Sequence, residues 1–165
     1  MTVYFVSVIM DIRNASADDI AAIIVLFQQT ILRVTAGDYT RSQRQVWALR
    51  GTDAGRWKSK IDTQHFLVAK EHEQLLGFGS MTSEGHLDML YVHQEQQGRG
   101  IATRLLEALE TWAKQQGLIH ISTDASLTAR PFFERKGYQI RQRQQHAIEN
   151  ETLVNFRMEK TLQPV

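Results

Sequence analysis

Cysteine is absent from this chain, which excludes a disulfide framework, thiolate metal sites and a cysteine nucleophile together. No sign of charge dominates either: nineteen basic and eighteen acidic side chains leave a formal net charge of +1. Without a global field, neither nucleic acid nor an anionic membrane is expected as the main partner, so any anionic ligand must be recognised locally. The apolar opening MTVYFVSVIMDIR lacks the basic lead and small-residue cleavage site of a secretory signal, and it meets charge too soon to span a bilayer. A cytoplasmic location is expected. The histidines at 65, 72, 93, 120 and 146 show no metal-ligand spacing, and no metal site is expected. RQRQQH, over 141 to 146, lacks the interleaved aromatics of a nucleic-acid stripe and reads as the wet face of a late strand.

With only two prolines and 42% hydrophobic content, 165 residues are enough for one well-buried core and too few for two. No repeat or low-complexity tract divides them. A second methionine at position 10 marks residues 1–9 as an N-terminal extension or the start of the first strand, with one domain over 10–163. Weak alternation over 4–13 predicts a strand. NASADDIAAIIVLFQQTIL then predicts a buried helix with Ser16 as N-cap and acids in its first turn. Two shorter helices are expected around SQRQVWALR and GRWKSKI, and three strands at HFLVAKE, QLLGFGSMTS and HLDMLYVH. The helix from about Gly100 to Gln116 should bury Ile101, Leu105, Leu109 and Trp112, pair Glu110 with Lys114 on its wet face, and stop at Gly117. LIHISTDAS predicts a strand, TARPFFERK a short helix, and 138–146 and 151–160 two closing strands. This order implies an α/β fold with a mixed, mostly antiparallel sheet flanked by helices, and not a doubly wound nucleotide fold.

QGRGIA, residues 97–102, stands between a strand and an amphipathic helix. The first N–H groups of that helix lack internal partners and point outward with the positive end of the helix dipole. Gly98, Gly100 and Ala102 remove side-chain bulk there, so a phosphate can lie against the main chain, with Arg99 and Arg104 at its sides. The alternative is a loop whose glycines only serve turn geometry. GRGIAT misses the dinucleotide fingerprint at Thr103, and the loop lacks the lysine of a P-loop.

QGRGIA fits the pattern Gln/Arg-x-x-Gly-x-Gly/Ala through Gln97, Gly100 and Ala102, and so resembles the coenzyme A pyrophosphate loop of the GCN5-related N-acetyltransferases (GNAT). MLYVHQEQQ is similar to that family's fourth strand and TARPFFERKGY to its penultimate helix; YTRSQRQVWA, RWKSKI and DASLTARPFFERKGY look most like its YafP-like branch. The resemblance implies acetyl-CoA as cosubstrate, held where the fourth and fifth strands splay apart. Its pantetheine arm would pair with the main chain of Leu90, Tyr91 and Val92, and its pyrophosphate would rest on the amides of Gln97, Gly98, Arg99, Gly100, Ile101 and Ala102, with Ser126, Phe132 and Phe133 completing the site. It also implies direct attack of an amine on the thioester, which needs orientation, a proton acceptor and a proton donor. The lack of cysteine agrees with direct transfer.

The chain departs from the family at the donor, where Phe133 replaces the frequent tyrosine. Ser126 is the candidate to take that role, its alternative being an N-cap. For the base, strand alternation puts His86 and Asp88 on one face with Leu90, opposite Leu87, Met89 and Tyr91; Asp88, His86 and Asp124 are the candidates. Tyr39, Trp47 and Trp57 are expected to wall a pocket for a small-molecule amine, unless they are core. Two other readings remain: a non-catalytic acyl-CoA sensor, suggested by Phe133, and a protein or peptide acetyltransferase, which would need an open groove. A C-terminal edge strand would allow a homodimer.

Overall fold

A computed structural model describes residues 10–164. The elements run β1 (Asp11–Asn14), α1 (Ile20–Val34), α2 (Arg41–Leu49), α3 (Ala54–Thr63), β2 (His65–Glu71), β3 (Gln74–Met81), β4 (His86–Val92), α4 (Ile101–Gln115), β5 (His120–Ser126), α5 (Arg130–Arg135), β6 (Gln139–Ile148) and β7 (Glu151–Thr161). Residues 1–9, the expected extension or strand start, lie outside the described residues. The strands form one sheet in the order β1-β2-β3-β4-β5-β7-β6. Every pair is antiparallel except β4 with β5. Among the described residues no helix is long and apolar enough to cross a membrane, and no group of three or more His, Cys, Asp or Glu could hold a metal ion.

Helices cover both faces of the sheet, which explains why FLVA in β2 is a continuous apolar run. Phe66 and Val68 pack toward α1 and α3 with Ile23, Phe27 and Trp57. Leu67 and Ala69 pack toward α4 with Leu105 and Leu109. In α1 the buried positions 23, 26, 27, 30 and 31 follow the helical repeat. A Cβ on Gly77 of β3 would stand 2.8 Å from the Tyr91 carbonyl oxygen and 3.2 Å from the Leu105 side chain, so the bare glycine lets α4 lie close to the sheet. A short 3-10 turn over Ala17–Asp19 leads into α1. Buried Asp19 accepts from the Ser16 main-chain N–H at 2.8 Å and from Arg13 at 2.9 Å, with Lys70 at 3.6 Å, and so ties β1 and β2 to the start of α1.

Two features of α4 differ from expectation. Glu110 does not pair with Lys114; it accepts from Lys160 of β7 and from the Tyr138 hydroxyl, both at 3.0 Å. A partly buried carboxylate with two charge-assisted or hydroxyl donors is better satisfied than in an exposed pair one turn away. Trp112 is half-buried, its ring stacked on His65 at 4.6 Å. The helix ends as expected, with Gly117 at φ +77 and the Leu118 N–H closing on the Ala113 carbonyl at 3.0 Å.

Candidate active site

In the pairing of β3 with β4, Ser80 faces Met89 and Met81 faces Leu87, so Asp88 is an extra residue in β4. This bulge breaks the strict alternation expected for the strand. Leu87 and Leu90 both pack toward α4, while Met89 and Tyr91 pack toward α1 and α3. Asp88 reaches Lys60 of α3 and Gln64, the residue that caps it, so it shares a side with Met89 and Tyr91 and not with Leu90. β5 runs beside β4 only at His86↔Ser122 and Leu87↔Thr123, where Thr123 Oγ1 donates to the Leu87 carbonyl at 3.0 Å. Beyond that point β5 stays paired with β7 as far as Ser126↔Asn155. The two central strands therefore diverge and leave a cleft between them.

A cavity of about 490 Å³ fills this cleft and runs from Gly98, Gly100 and Ala102 past Leu90 to Ser126 and Phe133. Gly98 and Gly100 hold φ +76 and +78, and an added Cβ on either would meet nothing within 4 Å. Left-handed backbone with open space around it is a cradle at the start of α4, where main-chain N–H groups face outward. Gln97 folds back so that its Nε2 donates to the Val92 carbonyl at 2.8 Å, and Thr30 Oγ1 donates to the same oxygen at 3.2 Å. That carbonyl is thus occupied from within the chain. Arg99 is held outward by Glu71 at 2.9 Å, and neither it nor Arg104 lines the cavity. Thr30, Thr103 and Arg135 do line it, although the loop motif does not include them. Thr103 follows the loop motif directly, but Thr30 and Arg135 come from α1 and α5, elements no local motif connects to the loop.

A second cavity, of about 270 Å³, adjoins the first. Trp47, Asp88, Tyr91, Asp124 and Ser126 line both, so these five residues form the junction between them. Phe27, Tyr39 and Trp57 line the second cavity alone. Tyr39 is buried, its hydroxyl donating to the Val154 carbonyl at 2.6 Å and accepting from the Leu127 N–H at 2.9 Å. Trp57 is buried too, with its indole N–H on the Gly51 carbonyl at 2.9 Å. His86 lines neither cavity; it bonds Ser122 Oγ at 2.8 Å and stands 3.5 Å from Asp124.

Burial would push both junction carboxylates up, but their partners prevail. The Lys60 ammonium and the Gln64 amide, at 2.9 Å, hold Asp88 below the usual carboxylate range. Arg157, at 2.6 Å, and Gln144, at 2.7 Å, do the same for Asp124. Both are ionised at neutral pH. Burial raises the Tyr91 phenol well above its ordinary value, so it stays protonated. Ser126 Oγ accepts from the Ala129 N–H at 3.0 Å, which leaves its own hydroxyl hydrogen free. Phe133 is buried among Phe132 and Tyr138 and offers no polar group.

Residues 35–162 match the family model for the acetyltransferase (GNAT) domain. The chain is 33% identical over 149 residues to the uncharacterized N-acetyltransferase YafP of Escherichia coli K12, covering 90% of this chain and 94% of that protein. Among solved structures, it is similar to a GCN5-related N-acetyltransferase from Rhodopseudomonas palustris, described as aminotransferase, class-II, with a TM-score of 0.89 and 34% identity over 93% of this chain and 96% of that one. YncA from Salmonella typhimurium, solved with its cofactor acetyl-CoA, shares the fold at a TM-score of 0.71 and 19% identity, over 95% of this chain and 96% of that one. A splayed central strand pair, a glycine cradle before α4 and these matches agree: the chain belongs to the GNAT family of N-acetyltransferases, enzymes that use acetyl-CoA as cosubstrate.

Proposed function

We propose that this enzyme moves the acetyl group of acetyl-CoA directly to the amine of a small molecule. The observation that carries this reading is the meeting of two cavities at one junction: a long one beginning at a main-chain anion cradle and a short one walled by aromatic rings. The cradle suits a pyrophosphate because Gly98 and Gly100 leave space where a side chain would stand. Arg135 and Thr103 add a cation and a hydroxyl to the same cavity. Leu90 and Tyr91 offer main-chain groups along the cleft, whereas the Val92 carbonyl is already shared by Thr30 and Gln97.

At the junction, a C–N bond forms as a C–S bond breaks; the amine loses one proton and the departing thiolate gains one. Asp88 and Asp124, both ionised, face the acceptor, which arrives as an ammonium and gives one proton to water before it can attack. As the resulting neutral amine attacks, they accept its second proton directly or through water, matching the one the thiolate gains. His86 acts behind them by positioning Asp124. Ser126 keeps a free hydroxyl hydrogen at the junction and supplies the donor that Phe133 cannot. Phe133 is also the observation that favours a binding-only protein, and turnover separates the two readings. The second cavity, at about 270 Å³ and walled by aromatic rings, favours a small acceptor over a peptide laid in an open groove. A cytoplasmic location belongs to the same reading. Sedimentation tests whether the exposed strand β6, at the sheet edge, pairs two copies.

Initial-rate kinetics with both substrates varied test direct transfer. Intersecting lines are expected, as both substrates must be bound together; parallel lines would indicate an acetylated enzyme and overturn the scheme.

A further inference from the structure

The charge along the acceptor cavity is not uniform. At its inner end stand Asp88 and Asp124, shared with the cofactor cavity. Arg50, Arg56 and Lys60 line the acceptor cavity alone. Lys60 is neutralised by Asp88, and Asp124 by Arg157. Arg50 and Arg56 have no carboxylate within ion-pair distance among the described residues. Arg56 makes one long hydrogen bond, 3.4 Å, to the Arg50 carbonyl, which leaves most of its donors free. Phe27, Trp57 and Tyr91 line the same cavity, with Phe27 packed edge-on against Trp57 at 5.2 Å and against Tyr91 at 5.0 Å.

Such a cavity has ion-paired carboxylates at the junction where the amine must react, two cations without a carboxylate partner elsewhere in its lining, and an apolar aromatic wall. We propose that the acceptor is an amino-acid-like zwitterion: a primary amine on a compact apolar or aromatic body that also carries an anionic group, a carboxylate or phosphate, held by Arg50 and Arg56. This inference rests on the acetyl-transfer reading above. Guanidinium groups suit such anions because their fork geometry matches two oxygens at once. Both side chains are exposed, so their free donors are met by water until an anion replaces it. A neutral-tailed amine would leave both cations hydrated and gain no contact from them.

The test compares amines that differ only in the anionic group. L-Phenylalanine is expected to be acetylated with a kcat/KM at least about tenfold above phenethylamine, the order expected for one charge-assisted contact. Phosphoethanolamine against ethanolamine separates a phosphate preference from a carboxylate one. In Arg56→Gln and Arg50→Gln the preference for the anionic member of each pair should fall toward one, with the KM for acetyl-CoA unchanged. A preference for the neutral members, or one that both variants retain, overturns the proposal. If no amine turns over, the acetyl-transfer reading itself fails, and calorimetry with N-acetyl-L-phenylalanine then tests the anion clamp by itself. Binding that is lost in Arg56→Gln supports the clamp; equal binding in parent and variant, or none in either, overturns it.

Discussion

Gly100 and Gly117 stand at opposite ends of α4, and they form a matched pair for testing the anion cradle. Each holds left-handed backbone, φ +78 and +77, and at each an added Cβ would meet nothing within 4 Å. Replacing either by alanine therefore has the same conformational cost, about 1–2 kcal/mol for a Cβ in that region. For a chain of this length that corresponds to a fall in Tm of roughly 2–8 °C. The two differ only in what the open space is for. Beside Gly100 it opens into the larger cavity, the one proposed for acetyl-CoA; Gly117 lines neither cavity. Gly100→Ala is thus expected to weaken acetyl-CoA binding at least about tenfold, or ~1.4 kcal/mol, because the methyl group takes the place of an approaching phosphate. Gly117→Ala should bind as the parent does. Thermal unfolding and calorimetric titration of both variants measure the two effects separately. Equal acetyl-CoA affinities in the two variants would refute the cradle, whatever their stabilities.

Further outcomes follow from the side chains at the junction and from Asp19 at the start of α1. Asp88→Asn should lower kcat by about 10²-fold without changing acetyl-CoA affinity; full turnover in this variant would remove Asp88 from the chemistry. Because Lys60 and Gln64 hold Asp88 below the usual carboxylate range, the acid limb of the parent's kcat/KM profile should follow the acceptor amine's own ionisation, which a change of acceptor would reveal. Ser126→Ala should slow turnover about tenfold or more while the fold persists, since it removes the donor as well as one bond to the Ala129 N–H; unchanged turnover would leave Ser126 as a cap only. Burial pushes the Asp19 pKa up, but Arg13, the Ser16 N–H and Lys70 bring it below the unfolded value, so its contribution is complete above about pH 4 and is lost as pH falls through the lower folded value. Asp19→Ala should destabilise the protein by about 2–3 kcal/mol near neutrality, less at strongly acid pH, as read by denaturant unfolding at several pH values; a constant difference across that range would contradict the linkage.

The parts of the molecule legible in the sequence are those set by short-range physics. The loop at 97–102 and α4 announce themselves because glycine placement, helix periodicity and a glycine stop at 117 lie within one stretch. What depends on distant partners is not legible. The bulge at Asp88 arises from the register with β3, and it moves Leu90 to the face opposite that carboxylate. Glu110 turns to Lys160, fifty residues away, instead of to Lys114 on its own helix. Arg99 carries the charge the cradle invites but spends it on Glu71, while Arg135 reaches the cavity from α5. Tyr39 and Trp57 are both core and cavity wall, a combination no sequence pattern separates.

The release of coenzyme A thiol from acetyl-CoA, followed with and without a small primary amine, tests the enzyme reading most directly. The account predicts release that requires the amine, saturates in both substrates and yields a product heavier than the acceptor by one acetyl group. Saturable binding of acetyl-CoA with no amine-dependent release across amines and peptides would contradict it, and would make this chain a binding protein on an acetyltransferase fold.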